Sequence, residues 1–416
     1  MKPLRLLVVI NNYPPDLAGG AAVIGDMCQG LSRRGFEVTV RCAYPYYPEW
    51  RDKSGRNGLR VWRYRDGEVS VERHGLYIPH NPNSMLHRLV HESSFLLSLL
   101  RGLWSVRRFD VVMAYCPAVT CIAFGVAGKL VHRRPLWLNV QDLAADAAAA
   151  SGLVKRPGFF AVLRALQNWL FNRAEVWSTI SPVMAERLAP LRRRGQPLLF
   201  LPNWLNQSLA GEIARHPRKH GEWPRGRPLR LLYAGNIGKK QNLLALLQIL
   251  RASALDFEFR VNGSGAQAAE TERWIRGCGD PRFVFGPFLD ERGFAGALHG
   301  TDFFVITETP ESGASFMPSK LIPGIASGTP ILAVCDSHSP LGHEVLHHGL
   351  GPCVGWHEVD EIAGLLQLLA QNPQRYSAWV HNAYRRAEQY RREPLLDRTA
   401  ENLRKLSARE PPASDY

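Results

Sequence analysis

One order of elements, strand, glycine-containing loop, helix and strand, is written twice in this chain, at its start and again past its midpoint. Residues 4–10, apolar from Leu6 to Ile10, read as a strand and lead through Asn11-Asn12-Tyr13-Pro14-Pro15 to Gly19-Gly20. A helix is predicted over 21–34, ended by Gly35 as a left-handed cap, and a second strand over 37–42. The pattern returns as a strand over 229–233, a loop over 234–240, a helix over 242–251 and a strand over 257–261. Each βαβ unit demands a parallel sheet with helices against it, so two of them predict an α/β chain with two Rossmann-like domains. The length of 416 residues agrees, because single cores stop growing at roughly 250–300 residues. Residues 215–226, rich in Pro, Gly and charge without periodicity, read as a connector. The expected division is 1–205, a linker 206–228, 229–384, and a helical segment with a frayed tail over 385–416.

The balance of charge narrows the partners. Fifty-one Lys and Arg against 37 Asp and Glu leave +14, which favours an anionic partner such as a phosphate-bearing substrate or an anionic membrane surface. Nucleic acid is not expected, since no RNP, zinc-finger or helix-turn-helix signature accompanies the charge. Cys28, Cys42, Cys116, Cys121, Cys278, Cys335 and Cys353 form no C-x-x-C pair, so neither a metal site nor a cofactor is predicted and the thiols read as small buried residues in a reducing cytoplasm. Residues 111–128 carry no charge, but the β-rich run before Pro117 predicts a buried strand, a turn and a helix over 118–131 instead of a membrane span.

Two facing Rossmann-like domains create a cleft lined by strand ends and helix N-termini, suited to a phosphate. Neither glycine loop spells a Walker A sequence or G-x-G-x-x-G, which disfavours a P-loop nucleotidase or a plain dehydrogenase. The segment Tyr233-Ala234-Gly235-Asn236-Ile237-Gly238-Lys239-Lys240-Gln241-Asn242-Leu243 resembles the first C-terminal-domain loop of retaining GT-B-fold glycosyltransferases. Met317-Pro318-Ser319-Lys320-Leu321 through Ala326-Ser327-Gly328-Thr329-Pro330-Ile331 resembles their donor-binding helix and following strand. Within glycosyltransferase family 4, this Pro-Ser-Lys-Leu form is similar to bacterial enzymes of exopolysaccharide, O-antigen and colanic-acid synthesis. Further matches lie at Tyr44-Pro45-Tyr46-Tyr47-Pro48-Glu49-Trp50, Val140-Gln141-Asp142-Leu143 and Leu201-Pro202-Asn203-Trp204, so the likeness runs over about residues 4–335.

The resemblance implies an N-terminal acceptor domain and a C-terminal nucleotide-sugar domain, and it implies roles. Lys240 and Lys320 match the two basic residues that neutralise the departing diphosphate without a metal. Gly19, Gly20, Gly235, Asn236, Ser319 and Leu321 match donor-binding positions. The family's Glu-x7-Glu signature would fall at Ser315 and Pro323, where both carboxylates are absent, so Glu308 or Glu311 is expected to take the sugar-hydroxyl contact. Asp142, at a predicted strand end, is the candidate for orienting the acceptor, with Asp146 as the alternative and helix capping as its simpler use. The Gly19–Gly20 loop, the Gly235–Lys240 loop and the start of the Lys320 helix are expected to converge on one interdomain cleft. The implied partners are a nucleotide-sugar donor and a lipid-linked glycan acceptor at the cytoplasmic face of the inner membrane. The mixed apolar and basic helices over 87–108 and 159–171 suit peripheral docking there. A nucleotide-sugar 2-epimerase and a non-catalytic nucleotide-sugar-binding subunit are the competing readings.

Overall fold

The computed structural model describes residues 2–416 apart from 17–19, 48, 57, 82–83, 143–156 and 311–316; the side chains of 157–160 and 163 also lie outside the description. The chain divides into two units, Met1–Asn203 with Ser315–Met317 and Glu393–Tyr416, and Trp204–Ala314 with Pro318–Arg392.

The first unit holds β1 (Leu4–Val9), β2 (Phe36–Ala43), β3 (Val61–Asp66), β4 (Val69–His74), β5 (Val111–Cys116), β6 (Leu136–Val140), β7 (Val176–Thr179) and β8 (Leu198–Phe200). They lie in the order β3-β4-β2-β1-β5-β6-β7-β8, and only β3 runs antiparallel to its neighbour. Helices cover both faces of a parallel sheet, which is why β5, β6 and β7 are buried along their whole length. The uncharged stretch splits as expected into β5, a turn at Pro117 and the helix Val119–His132. Gly125 lets that helix lie against the sheet, since a Cβ there would stand 2.7 Å from the Leu136 side chain. Gly35 takes the expected left-handed conformation, φ +84°.

The tail departs from expectation. Asp415 donates its amide to the Leu198 carbonyl (3.0 Å), Phe200 donates to the Asp415 carboxylate (2.8 Å), and Arg398 grips that carboxylate at 2.5 and 2.6 Å. The edge strand β8 has backbone groups to satisfy, and the tail supplies them.

The second unit holds β9 (Leu229–Asn236), β10 (Phe257–Ser264), β11 (Phe283–Gly286), β12 (Phe303–Thr307), β13 (Ile331–Val334) and β14 (Cys353–Val354). All neighbours are parallel, in the doubly wound order β11-β10-β9-β12-β13-β14. The segment read as a linker belongs to this unit. It opens with the helix Gln207–Ala214, capped by the Asn206 side chain on the Leu209 amide, and the Lys219 amide donates to the Tyr384 hydroxyl. The segment over 385–416 is divided, with the helix Pro373–Ala387 ending in the second unit and Arg392–Ser407 packing in the first.

In each unit the strand order reverses beside the first strand, between β1 and β5 and between β9 and β12. The crevice at the carboxyl ends of such strands is where doubly wound sheets bind ligands.

Candidate functional site

At the reversal point of the second unit, β9 runs into Gly235, whose φ of +125° only glycine adopts without strain and whose Cβ side is open. The loop turns back on itself. Gln241 accepts the Gly238 amide at 3.1 Å and the Asn236 side chain at 3.3 Å, and the next helix begins at Leu243. The end of β12 is stitched to this loop, because the Lys240 carbonyl accepts the Thr309 amide (2.8 Å) and the Gln241 carbonyl accepts the Thr307 hydroxyl (2.5 Å). Glu308 therefore sits directly beside the Gly235–Lys240 loop.

Glu308 is 1% exposed. Its backbone is fully used, with the amide on the Val334 carbonyl and its own carbonyl accepting the Trp356 indole (2.6 Å). Neither carboxylate oxygen makes a hydrogen bond, the Ser339 hydroxyl lying near but outside bonding geometry. Burial pushes its pKa up to about 8, against the opposing fields of Lys320 and Lys240. The Lys320 ammonium is also buried without a hydrogen bond, 3.8 Å above the Tyr233 ring, and burial draws its pKa down to about 7 against the pull of Glu308. Lys240, Lys320 and Glu308 thus share one electrostatic neighbourhood at the ends of β9 and β12. A buried ammonium and a buried acid with unused hydrogen-bonding capacity suit an anionic, polyhydroxylated ligand.

Other predicted residues fall as follows. Ser319 is exposed in the turn before the short helix Leu321–Ala326. Leu321 points into the core, fully buried, with its amide on the Pro318 carbonyl, so its side chain is not brought to the site. In the first unit Gly20 has φ +76° and precedes the helix Ala21–Ser32, while Asp142 follows β6 and its carbonyl accepts the Cys116 thiol (3.1 Å). Gly19, Glu311, Asp146 and the helix beginning at Leu143 lie outside the described residues. Tyr233, the floor beneath Lys320, was missed as a site residue although it stands in the quoted loop segment. Among the described residues no group of three or more His, Cys, Asp and Glu gathers as metal ligands.

The first unit also exposes apolar side chains. Leu86, Leu89, Val90 and Leu97 on Met85–Leu100, Trp104, Leu130 and Val131, and Val162, Leu166 and Trp169 on Pro157–Phe171 are all in contact with solvent. The helix Val119–His132 packs against the other two and against the turn Leu103–Arg108. Arg107, Arg108, Arg133 and Arg164 are exposed on these same elements. Among the described residues no helix is long and apolar enough to cross a membrane.

Two Rossmann-like units with these strand orders are those of the GT-B fold. A sequence profile of the glycosyl transferase 4-like domain matches residues 18–204, within the first unit. It is homologous to WcaI of Escherichia coli strain K12, a protein assigned to colanic acid biosynthesis as a glycosyl transferase, at 29% identity over 88% of this chain and 92% of that one. Sucrose-phosphate synthase from Thermosynechococcus elongatus superposes with a TM-score of 0.70 at 15% identity, covering 98% of this chain and 100% of its own. Anabaena HepE, in complex with UDP-glucose, gives 0.64 at 15% identity over 97% and 100%. The fold expected from the sequence is borne out.

Proposed function

We infer that this glycosyltransferase takes its sugar from a nucleoside diphosphate donor held by the second unit and transfers it, with retention and without a metal, to a lipid-linked glycan in bacterial surface-polysaccharide synthesis. The observation that carries the reading is the convergence of Lys240, Lys320 and Glu308 at the reversal point between β9 and β12. Departure of the nucleoside diphosphate leaves charge on its β-phosphate, and an ammonium already placed in a dry site stabilises that charge more in the transition state than in the ground state. Lys320 and Lys240 take this role. Glu308, its carboxyl held largely protonated by burial, contacts donor-sugar hydroxyls, and Asp142 orients the acceptor. The leaving phosphate takes the acceptor proton. The similarity to a protein of colanic acid biosynthesis supports the polysaccharide assignment, and the exposed apolar and basic surface of the first unit supports an acceptor at a membrane.

A thermal-shift panel of nucleoside diphosphates and nucleotide sugars tests the donor. A true ligand at 100 times its Kd stabilises by about 2.7 kcal/mol. With the donor so identified, Lys320→Ala is expected to lower turnover by roughly 10²–10³. Wild-type turnover by that variant at saturating donor would remove the phosphate role.

A further inference from the structure

The reversal point of the first unit holds a group of buried acceptors with nothing to accept. Asn11 and Asn12 follow β1, and Asp16 lies five residues beyond Asn11, 3% exposed. The Asn11 Oδ1, the Asn12 Oδ1 and both oxygens of Asp16 are buried without a hydrogen bond. The Tyr13 amide lies near the Asp16 carboxylate but outside bonding geometry. Folded proteins rarely leave such atoms unsatisfied, and four together point to a partner made of donors.

Their orientation is fixed from behind. The Asn11 amide nitrogen donates to the Tyr46 hydroxyl at 2.8 Å, and that hydroxyl meets His91 Nε2 at 3.2 Å. His91 Nδ1 faces the Tyr77 carbonyl at 2.7 Å, and burial lowers the pKa of the ring. Neutral His91 therefore carries its proton on Nδ1 and accepts from Tyr46, which in turn accepts from Asn11. The Asn11 oxygen is left pointing away from this chain of bonds. Asp16 is not bonded, and burial outweighs the fields of Arg73 and Lys53 and pushes its pKa up to about 6. Arg73, fully buried, spends its guanidinium on the Tyr64 hydroxyl (3.1 Å) and the carbonyls of Ala43 (2.8 Å), Tyr13 (3.0 Å) and Pro14, so it offers Asp16 a field and no proton.

Aromatic rings pack around Tyr46, the hydroxyl that holds Asn11. Trp50 packs 5.2 Å from Tyr46 and 6.1 Å from the partly exposed Tyr47, with Arg88 above its ring at 4.2 Å. Its φ of +54° is uncommon for so bulky a residue. Unsatisfied acceptors of this kind, in a loop braced by an aromatic cluster, form an environment suited to the hydroxyls of a sugar.

We propose that Asn11, Asn12 and Asp16, backed by Tyr46, form a carbohydrate subsite that binds the hydroxyls of the acceptor's sugar. The assignment of that sugar to the acceptor rests on the transferase reading above. Among the described residues no lysine or arginine hydrogen-bonds the four oxygens, and acceptor oxygens suit hydroxyl donors and not the oxygens of a phosphate.

Saturation-transfer NMR of the full chain with methyl glucoside, galactoside and fucoside tests it, beside thermal shift with UDP, GDP, ADP and dTDP. Wild type should show saturation of at least one glycoside, and Asp16→Ala should weaken that binding about tenfold, the loss expected for a hydrogen bond to a charged group. Asn12→Ala, which leaves the Arg73 counter-charge in place, should weaken it severalfold in a chain that still gives the wild-type nucleotide shift. A nucleotide shift without any glycoside signal, or a signal indifferent to both substitutions, overturns the subsite. Absence of every nucleotide shift in wild type instead strikes the transferase reading.

Discussion

Glu308 and Lys320 are buried side by side, and burial pushes each toward its uncharged form. The carboxyl of Glu308 titrates at about 8 in the folded chain against an ordinary 4.5, so between those pH values the folded state holds a proton that the unfolded state has released. The contribution of Glu308 to stability therefore falls as pH rises across that window, by about 1.4 kcal/mol per pH unit at most. Glu308→Gln keeps the shape and removes the titration. Its melting temperature is expected to gain on wild type steadily from pH 5 to about pH 7.5, as scanning calorimetry without ligand would read. A constant difference across that range would mean that Glu308 is ionised in the folded chain throughout. The candidate residues Lys240, Lys320 and Glu308 were legible because the loop and the Pro-Ser-Lys segment are local strings. That Lys320 lies dry over Tyr233 was not legible. A lysine before a helix reads as exposed, and only the approach of β9 to the Leu321–Ala326 helix buries it.

Between elements, one ion pair fastens the helix Pro340–His347 to the helix Pro373–Ala387. Arg386 meets Glu344 at 2.5 and 3.0 Å, both nearly fully buried, and the Tyr390 hydroxyl adds a third bond at 2.8 Å. Removing one partner of such a pair strands the other charge, which typically costs about 3–5 kcal/mol. Arg386→Met should accordingly lower the melting temperature by roughly 10 °C. Arg386→Met with Glu344→Leu should recover most of the loss, and failure of the double variant to recover would assign the cost to packing instead. The repeated βαβ units were readable because buried parallel strands are apolar runs closed by glycine or proline. β4 was not, since Arg73 and His74 give it the look of a surface segment although both are buried. The helix Gln207–Ala214 hid for a similar reason, its single buried Leu209 being too little periodicity to stand out from a connector.

For the chain as a whole, the +14 charge and the exposed apolar residues of the first unit bear on one question, attachment to a membrane. Charge alone would give binding that disappears at high salt, with about 1 kcal/mol for each Lys or Arg near an anionic surface. The apolar residues add a contribution that salt does not screen. Trp104 is 72% exposed and Trp169 48%, and spacing along Pro157–Phe171 places Val162, Leu166 and Trp169 on one stripe. Partial burial of two indoles in the interfacial layer is worth roughly 2 kcal/mol together, about thirtyfold in partitioning. Trp104→Ser with Trp169→Ser should therefore reduce co-sedimentation with phosphatidylglycerol vesicles by about that factor at moderate salt. The melting temperature should fall by a few degrees at most, because Trp104 is largely exposed and Trp169 about half so. Wild type should keep measurable binding at high salt and the double variant should lose it. If the two proteins sediment alike at every salt concentration, the apolar stripe does not reach the lipid, and attachment is left to the arginines alone.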